Sequence, residues 1–178
     1  MIVLINGNQP RCGKDTLAKQ FELRGYTHLK FADALHKEVC SVFDIDRPDD
    51  SDKDIVKYQQ YGDVTYRQLL IVYGTARKHK DLLFWASALC DEMLNISEKN
   101  YVISDWGFFY ELPIIGRRLY EHHITTIHVR RPITAPVPDS RENLEYVCTY
   151  VLDNSGTRNE YISQCKELVQ EVIEKYGG

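Results

Sequence analysis

Five short apolar runs, rich in β-branched residues, punctuate the chain: "IVLI" at 2–5, "THLKF" at 27–31, "YVIS" at 101–104, "TTIHV" at 125–129 and "CTYVL" at 148–152. Each has the length and composition of a strand. Between them the apolar positions recur with helical spacing, at 14–23, 33–43, roughly 65–75, 81–97, 109–121 and 157–175. Strands alternating with helices predict an α/β fold, a parallel sheet of five strands with helices on both faces. Asp33 is placed to cap the second helix. Thr157 with Glu160 three residues on has the spacing of a capping box at the start of the last helix.

Two segments break the alternation. "DIDRPDDSDKD" at 44–54 is acidic and turn-rich and reads as a solvated surface loop. "RRPITAPVPDSREN" at 130–143 carries three prolines and three arginines between the last two predicted strands. A loop of that length in a compact domain commonly serves as a lid or binding loop. The chain shows no internal repeat and no low-complexity tract.

The first predicted strand runs into "NGNQPRCGKDT" (6–16) and then into a helix. That is the context of the phosphate-gripping pattern G-x-x-x-x-G-K-[ST]. Gly13 and Lys14 match its second half. Gly7 stands one position too early, Asn8 occupies the expected glycine position, and Asp15 intervenes before Thr16. An insertion at Gln9-Pro10 accounts for the extra residue. The physics tolerates these departures. Gly7 permits a sharp turn, and Gly13 lets the backbone approach phosphate oxygens. The loop amides and the following helix N-terminus supply a positive field. Lys14 is a mobile charge for the outer phosphates of ATP. Asp15 and Thr16 both offer the hard oxygens that Mg²⁺ takes, and the sequence leaves open which of them faces the metal.

Length and composition narrow the class. With 178 residues and 43% hydrophobic content the chain suits one domain. At that size roughly 70% of the unfolded surface is buried on folding. A net charge of −4 argues against a general nucleic-acid binder while leaving room for a basic cleft. Five scattered cysteines without a C-x-x-C pair suggest a reducing compartment rather than a disulfide or zinc framework. A strand opening at Met1 and the lack of an apolar run near ~20 residues predict neither a signal peptide nor a membrane span. The expectation is a soluble cytoplasmic protein acting on a small molecule, with a homodimer left open.

"GKDT" resembles the form of this loop in deoxynucleoside monophosphate kinases of the bacteriophage type. Further segments resemble that family in the same order: "LKFADALHKEV" (29–39), "LLIVYGTARKHKDLLFW" (69–85), "VISDWGFFYEL" (102–112), "IHVRRP" (127–132) and "YVLDNSGTRNEY" (150–161). The resemblance implies a three-layer P-loop kinase fold, ATP and Mg²⁺, host cytoplasm as the setting, and an acceptor region over about 33–97 with a lid over about 130–147. It implies that Gly7, Arg11, Cys12, Gly13, Lys14, Asp15 and Thr16 hold the ATP phosphates and magnesium. Asn154 and Gly156 would border adenine. Phe31, Asp33, Lys37, Arg77, Trp85 and Glu111 would face or cover the acceptor. Asp105 would orient Mg²⁺ or the acceptor, and Arg130 and Arg131 would begin the lid. Read without the resemblance, Asp105 could cap a helix, Lys37 and Arg130-Arg131 could be solvated, and Trp85 could belong to the core.

One departure stands out. Where the family pattern reads D-x-R-F, this chain has Asp105-Trp106-Gly107-Phe108. An arginine there would clamp a phosphate through two parallel hydrogen bonds, and Arg77, Arg117 or Arg118 are the substitutes the sequence offers. The predicted chemistry is phosphoryl transfer from ATP to a deoxynucleoside monophosphate, whose dianionic phosphate needs cations around it more than a general base. The alternatives are a kinase of another small phosphorylated acceptor, such as dephospho-coenzyme A or phosphomevalonate, or a catalytically silent nucleotide-binding module. The chain has no N-K-x-D guanine-reading motif, which argues against a GTPase switch.

Overall fold

A computed structural model of the chain describes residues 1–49, 51–96, 98–132 and 141–177. Five parallel strands form the central sheet: β1 (Ile2–Gly7), β2 (Thr27–Leu29), β5 (Tyr101–Ile103), β6 (Ile124–Arg130) and β7 (Tyr150–Asp153). Their order is β2-β5-β1-β6-β7, so β1 lies in the middle. Two more strands, β3 (Lys57–Tyr58) and β4 (Val64–Thr65), pair antiparallel as a small separate ribbon. The described residues include six α-helices: α1 (Lys14–Glu22), α2 (Phe31–Phe43), α3 (Tyr66–Lys80), α4 (Phe84–Asn95), α5 (Glu111–Arg118) and α6 (Arg158–Tyr176). The architecture is the three-layer α/β arrangement read from the alternation of patterns.

β1 shows why the sheet is covered twice. All six of its residues are buried, and successive side chains point to opposite faces. Val3 and Ile5 join Leu17 and Phe21 of α1 and Cys165, Val169 and Val172 of α6. Ile2 and Leu4 enter a second core with Leu89 and Met93 of α4, Ile115 of α5 and Trp106. A third, smaller cluster joins α2, α3 and the β3–β4 ribbon around Val39, Tyr66 and Leu69. Among the described residues no helix is long and apolar enough to cross a membrane.

Two helices start on local capping boxes, and a third is an exception to its expected cap. Thr157 and Glu160 form the expected capping box, the Glu160 amide donating to Thr157 Oγ1 (3.3 Å) and the Thr157 amide to Glu160 Oε2 (2.7 Å). A second box, Thr65 with Gln68, starts α3 and has the same T-x-x-[EQ] spacing. The exception is α2, which begins at Phe31, so Asp33 lies inside its first turn instead of capping it. The cap comes from another strand: Asp105, just past β5, accepts from the Phe31 and Ala32 amides at 2.9 Å each.

Leu4 is fully buried in the second core. Leu4→Ala is therefore expected to lower the unfolding free energy by roughly 2–5 kcal/mol, read from urea denaturation, whereas Thr65→Ala should cost about 1 kcal/mol.

Candidate functional site

The segment between β1 and α1 is bent by two residues in the left-handed region, Arg11 (φ 60°) and Gly13 (φ 117°). At Gly13 the constraint is double, since a Cβ would also lie 2.8 Å from both Asn154 Nδ2 and the Tyr161 ring. At Gly7 a Cβ would lie 2.4 Å from Cys12 Sγ, so the loop can fold back over the strand end only because that side chain is missing. Neighbours brace the bend. Asn154 Nδ2 donates to Cys12 O (2.7 Å), and the Tyr161 hydroxyl donates to Gly13 O (3.0 Å). Asn8, standing where the pattern wants glycine, exchanges two bonds with the Arg131 backbone, Nδ2 to O at 2.8 Å and N to Oδ1 at 3.2 Å. Lys14 is 8% exposed, and its ammonium donates to Gln9 O (3.1 Å) and Cys12 Sγ (3.4 Å). Those are loop groups that an entering phosphate can replace.

The loop forms one wall of a cleft of about 680 Å³ at the C-terminal ends of β1, β2 and β5, where open α/β sheets hold their ligands. Of the residues singled out from the sequence, Arg11, Gly13, Lys14, Asp15, Thr16, Asp33 and Asp105 line it. So do Arg141 of the expected lid and four cations that sequence reasoning missed: Lys30, Arg47, Lys53 and Arg67. Arg47 and Lys53 belong to the acidic 44–54 segment that reads as mere surface. Ser51 of that segment lines the cleft too.

Several expected acceptor residues lie elsewhere. Lys37, with a side chain 69% exposed, pairs with Glu92 of α4 at 3.1 Å. Arg77 makes a two-pronged pair with Glu38, both bonds 3.1 Å, and lies over the Phe84 ring. Trp85 is buried, its Nε1 donating weakly to Gly74 O. Phe31 is core, contributing its amide and not its ring to Asp105. Lys37, Arg77 and Trp85 each contact a neighbouring helix in this structure. Asn154 serves as a loop brace, and Gly156 sits against the Glu160 carboxylate, outside the cleft lining. Cys12 is fully buried beneath the loop. Arg130 pairs with Asp153 and Glu145, and Arg131 Nη1 donates to Arg11 O (3.2 Å). Of the expected lid, residues 133–140 lie outside the described residues. Arg118, a suggested substitute at the D-x-R-F site, is taken up by Ser87 O and Asp91.

Charges in the cleft are organised in pairs. Asp15 Oδ1 receives Lys30 Nζ (2.8 Å) and Ser104 Oγ (3.0 Å). Partial burial pushes this carboxyl up, but Lys30, Ser104 and His28 together outweigh it and hold it below its ordinary pKa. Ser104 Oγ lies 2.8 Å from His28 Nε2; since its proton goes to Asp15, the ring N–H donates. Burial, then Lys30, lowers the His28 pKa, keeping the ring neutral at neutral pH. Burial raises Asp105 against the pull of the two α2 amides. For Mg²⁺ the cleft offers the oxygens of Asp15, Thr16 and Asp105. Among the described residues no cluster of three His, Cys, Asp or Glu side chains could hold a metal by itself. This donor set fits a magnesium ion carried in on phosphates, which uses one or two protein carboxylates.

This fold, a five-stranded parallel sheet between two layers of helices, recurs in known structures. Over nearly their whole lengths, three solved structures share it. TT1252 from Thermus thermophilus is 19% identical, with a TM-score of 0.55, 96% of each chain being covered. Dephospho-CoA kinase from Campylobacter jejuni is 13% identical at a TM-score of 0.53, with 98% of each covered. A gluconokinase from Sinorhizobium meliloti 1021 is 14% identical at 0.51, covering 97% of this chain and 93% of its own. No protein-family model matches the chain, and no curated protein matches it in sequence.

Glu111, 4% exposed, accepts the Gly107 (3.1 Å) and Phe108 (3.0 Å) amides at Oε2. It buttresses the turn after β5 rather than lining the cleft. Burial pushes its pKa from 4.5 up to about 7. A raised folded-state pKa means a contribution to stability that is full below the unfolded value and lost as pH rises through the folded one. Glu111→Gln keeps an oxygen for both amides and removes the titration. Between pH 5 and pH 8 the wild type should lose on the order of 2 kcal/mol more stability than this variant, measured by urea denaturation at both pH values.

Proposed function

We propose that this chain is an ATP-dependent phosphotransferase whose acceptor is a small phosphorylated molecule, and that the acceptor class is a deoxynucleoside monophosphate, converted to its diphosphate. The observation that carries the reading is a cleft with two separate sets of cations. Lys14 and the loop amides stand at one wall. Arg47 on the segment after α2, Lys53, and Arg67 in the first turn of α3 line the same cleft from elements outside the loop. A molecule that brings two anionic reactants together needs such a division, because charge repulsion between them is the main obstacle.

In this reading the loop amides and Lys14 take the outer phosphates of ATP, and Asp15 and Thr16 hold Mg²⁺. Bound there, the metal would neutralise charge on the β- and γ-oxygens. Lys14 leaves Gln9 O and Cys12 Sγ for phosphate oxygens. The acceptor phosphate is held by Arg47, Lys53 and Arg67, which replace Lys37, Arg77 and Trp85 as the acceptor-side residues. Asp105 acts on the acceptor through α2, whose N-terminus it fixes. A monoester dianion is already nucleophilic, so positioning and charge cancellation carry the chemistry. A second reading, transfer to a different small acceptor, is favoured by the fold shared with proteins named gluconokinase and dephospho-CoA kinase.

The test is ADP release with ATP and Mg²⁺ against dAMP, dGMP, dCMP, dTMP, hydroxymethylated pyrimidine nucleotides, dephospho-coenzyme A, phosphomevalonate and gluconate. At least one deoxynucleotide should be turned over, and Lys14→Ala should lower kcat by about 100-fold or more with folding retained. Turnover of a non-nucleotide acceptor alone would select the second reading. An unchanged rate in Lys14→Ala would remove the site assignment.

A further inference from the structure

The turn after β5 carries a glycine where the cleft would profit from a cation, and a distant residue fills its place. A Cβ built on Gly107 would lie 2.7 Å from Arg141 Cγ and 3.0 Å from its Cδ. The Arg141 stem thus crosses the space that a side chain at 107 would use. Arg141 also lines the cleft. The crossing is fixed by the backbone on both sides. The Glu142 amide donates to Gly107 O (2.8 Å), and Glu142 Oε2 accepts from the Phe109 amide (2.8 Å). Asn6 Nδ2, fully buried, donates to Trp106 O (2.9 Å) and Glu142 O (3.2 Å). Glu111 holds the Gly107 amide from below.

Topology says where this cation enters. β5 lies between β1, which leads into the phosphate loop, and β2, which leads through Lys30 into α2. A side chain over the end of β5 therefore comes in between the loop and the far cations. We infer that Arg141 is an anion-contacting residue of the cleft, set between its two phosphate-holding ends, and that Gly107 is glycine to let the Arg141 stem pass. The inference rests on the kinase reading for its role in transfer, but the anion contact stands independently of it. It also explains the arginine missing from Asp105-Trp106-Gly107-Phe108: the guanidinium is delivered from 141 instead of 107. An arginine grown from 107 would start 2.7 Å from Arg141 Cγ, beside the present stem.

The experiment compares wild type, Arg141→Ala, Gly107→Ala and the double variant Arg141→Ala/Gly107→Arg. ADP release is followed with the best acceptor, and binding of inorganic tripolyphosphate is followed by titration calorimetry. Arg141→Ala should lower kcat/KM tenfold to 100-fold and weaken tripolyphosphate several-fold. Gly107→Ala, by displacing the stem, should shift both in the same direction. The double variant should regain at least tenfold in kcat/KM over Arg141→Ala, a rescue that a merely structural role for Arg141 would not give. An Arg141→Ala enzyme within twofold of wild type in transfer and in binding overturns the inference and leaves the kinase reading standing. A double variant no better than Arg141→Ala also overturns it. If wild type turns over no acceptor, the kinase reading falls and the calorimetry alone decides, equal affinities of wild type and Arg141→Ala counting against the contact. A wild type that neither transfers nor binds tripolyphosphate sinks both. Should Gly107→Ala fail to fold, Arg141→Ala and the double variant still decide.

Discussion

One buried primary amide holds the site together. Asn6, one residue before the β1 strand end, has no exposed surface, and all four of its hydrogen-bonding positions are used. Its oxygen accepts from His128 Nδ1 (2.8 Å) and from the Leu144 amide (3.2 Å), and its nitrogen donates to Trp106 O and Glu142 O. These bonds join β1, β6, the turn after β5 and the segment at 142–144 at a point beneath the phosphate loop. In a dry interior each is worth more than at the surface, and each partner lost would leave a buried group unpaired. Because Asn6 Oδ1 takes the His128 proton, the ring carries it on Nδ1. Burial lowers the pKa of that ring, so it stays neutral and the tautomer is fixed.

The cleft solves a charge problem that the whole molecule hides. The chain carries a net −4, yet the described residues lining the cleft include seven lysines and arginines against three aspartates. Such a concentration repels itself when no ligand is present. The structure answers with tethers: Lys30 on Asp15 at 2.8 Å, Arg47 on Asp33 at 3.4 Å, and Arg67 on Asp54. Partly exposed pairs of this kind contribute little stability. They hold the cations in place at low cost, and a phosphate with two charges outbids a single carboxylate for them.

How far the sequence disclosed this depends on the kind of contact. β1, α1 and the loop were legible because their determinants are local: an apolar run, Gly13 at positive φ, and Lys14 at the helix start. The capping box at Thr157 is likewise a four-residue event. Asp33 failed as a cap because the α2 amides are served by Asp105, a residue of another strand that no local spacing could indicate. For Lys37, Arg77 and Trp85 the sequence leaves open which way each helix position faces. Matching a residue to a segment does not say whether it points to the cleft or to Glu92, Glu38 and Gly74. Arg47 and Lys53 were hidden by acidic neighbours, whose composition suggested only solvation. Lys30 and Ser104 were the recoverable omissions, since each ends a parallel strand where ligands collect.

The two ends of the cleft differ in how firmly they are built. The phosphate loop rests on β1, whose alternating residues feed both large cores, and it is braced by Asn154, by Tyr161 and by the Asn8 bonds to the Arg131 backbone. The far end, with Arg47, Lys53 and Arg67, rests on the smallest cluster, in which only Val39, Tyr66 and Leu69 are buried. Behind it His36, 4% exposed, lies 2.9 Å from the Tyr66 hydroxyl and 3.3 Å from Lys53 Nζ. Since an ammonium can only donate, His36 Nε2 accepts from Lys53 and Nδ1 carries the ring proton toward Tyr66. This polar chain orients Lys53 where apolar packing is thin. Local stability follows buried contact density, so opening of the lobe built from α2, α3 and the β3–β4 ribbon costs less than disturbing the loop. The loop side is thus the fixed reference, and the side around Arg47, Lys53 and Arg67 is the more easily deformed part of the cleft.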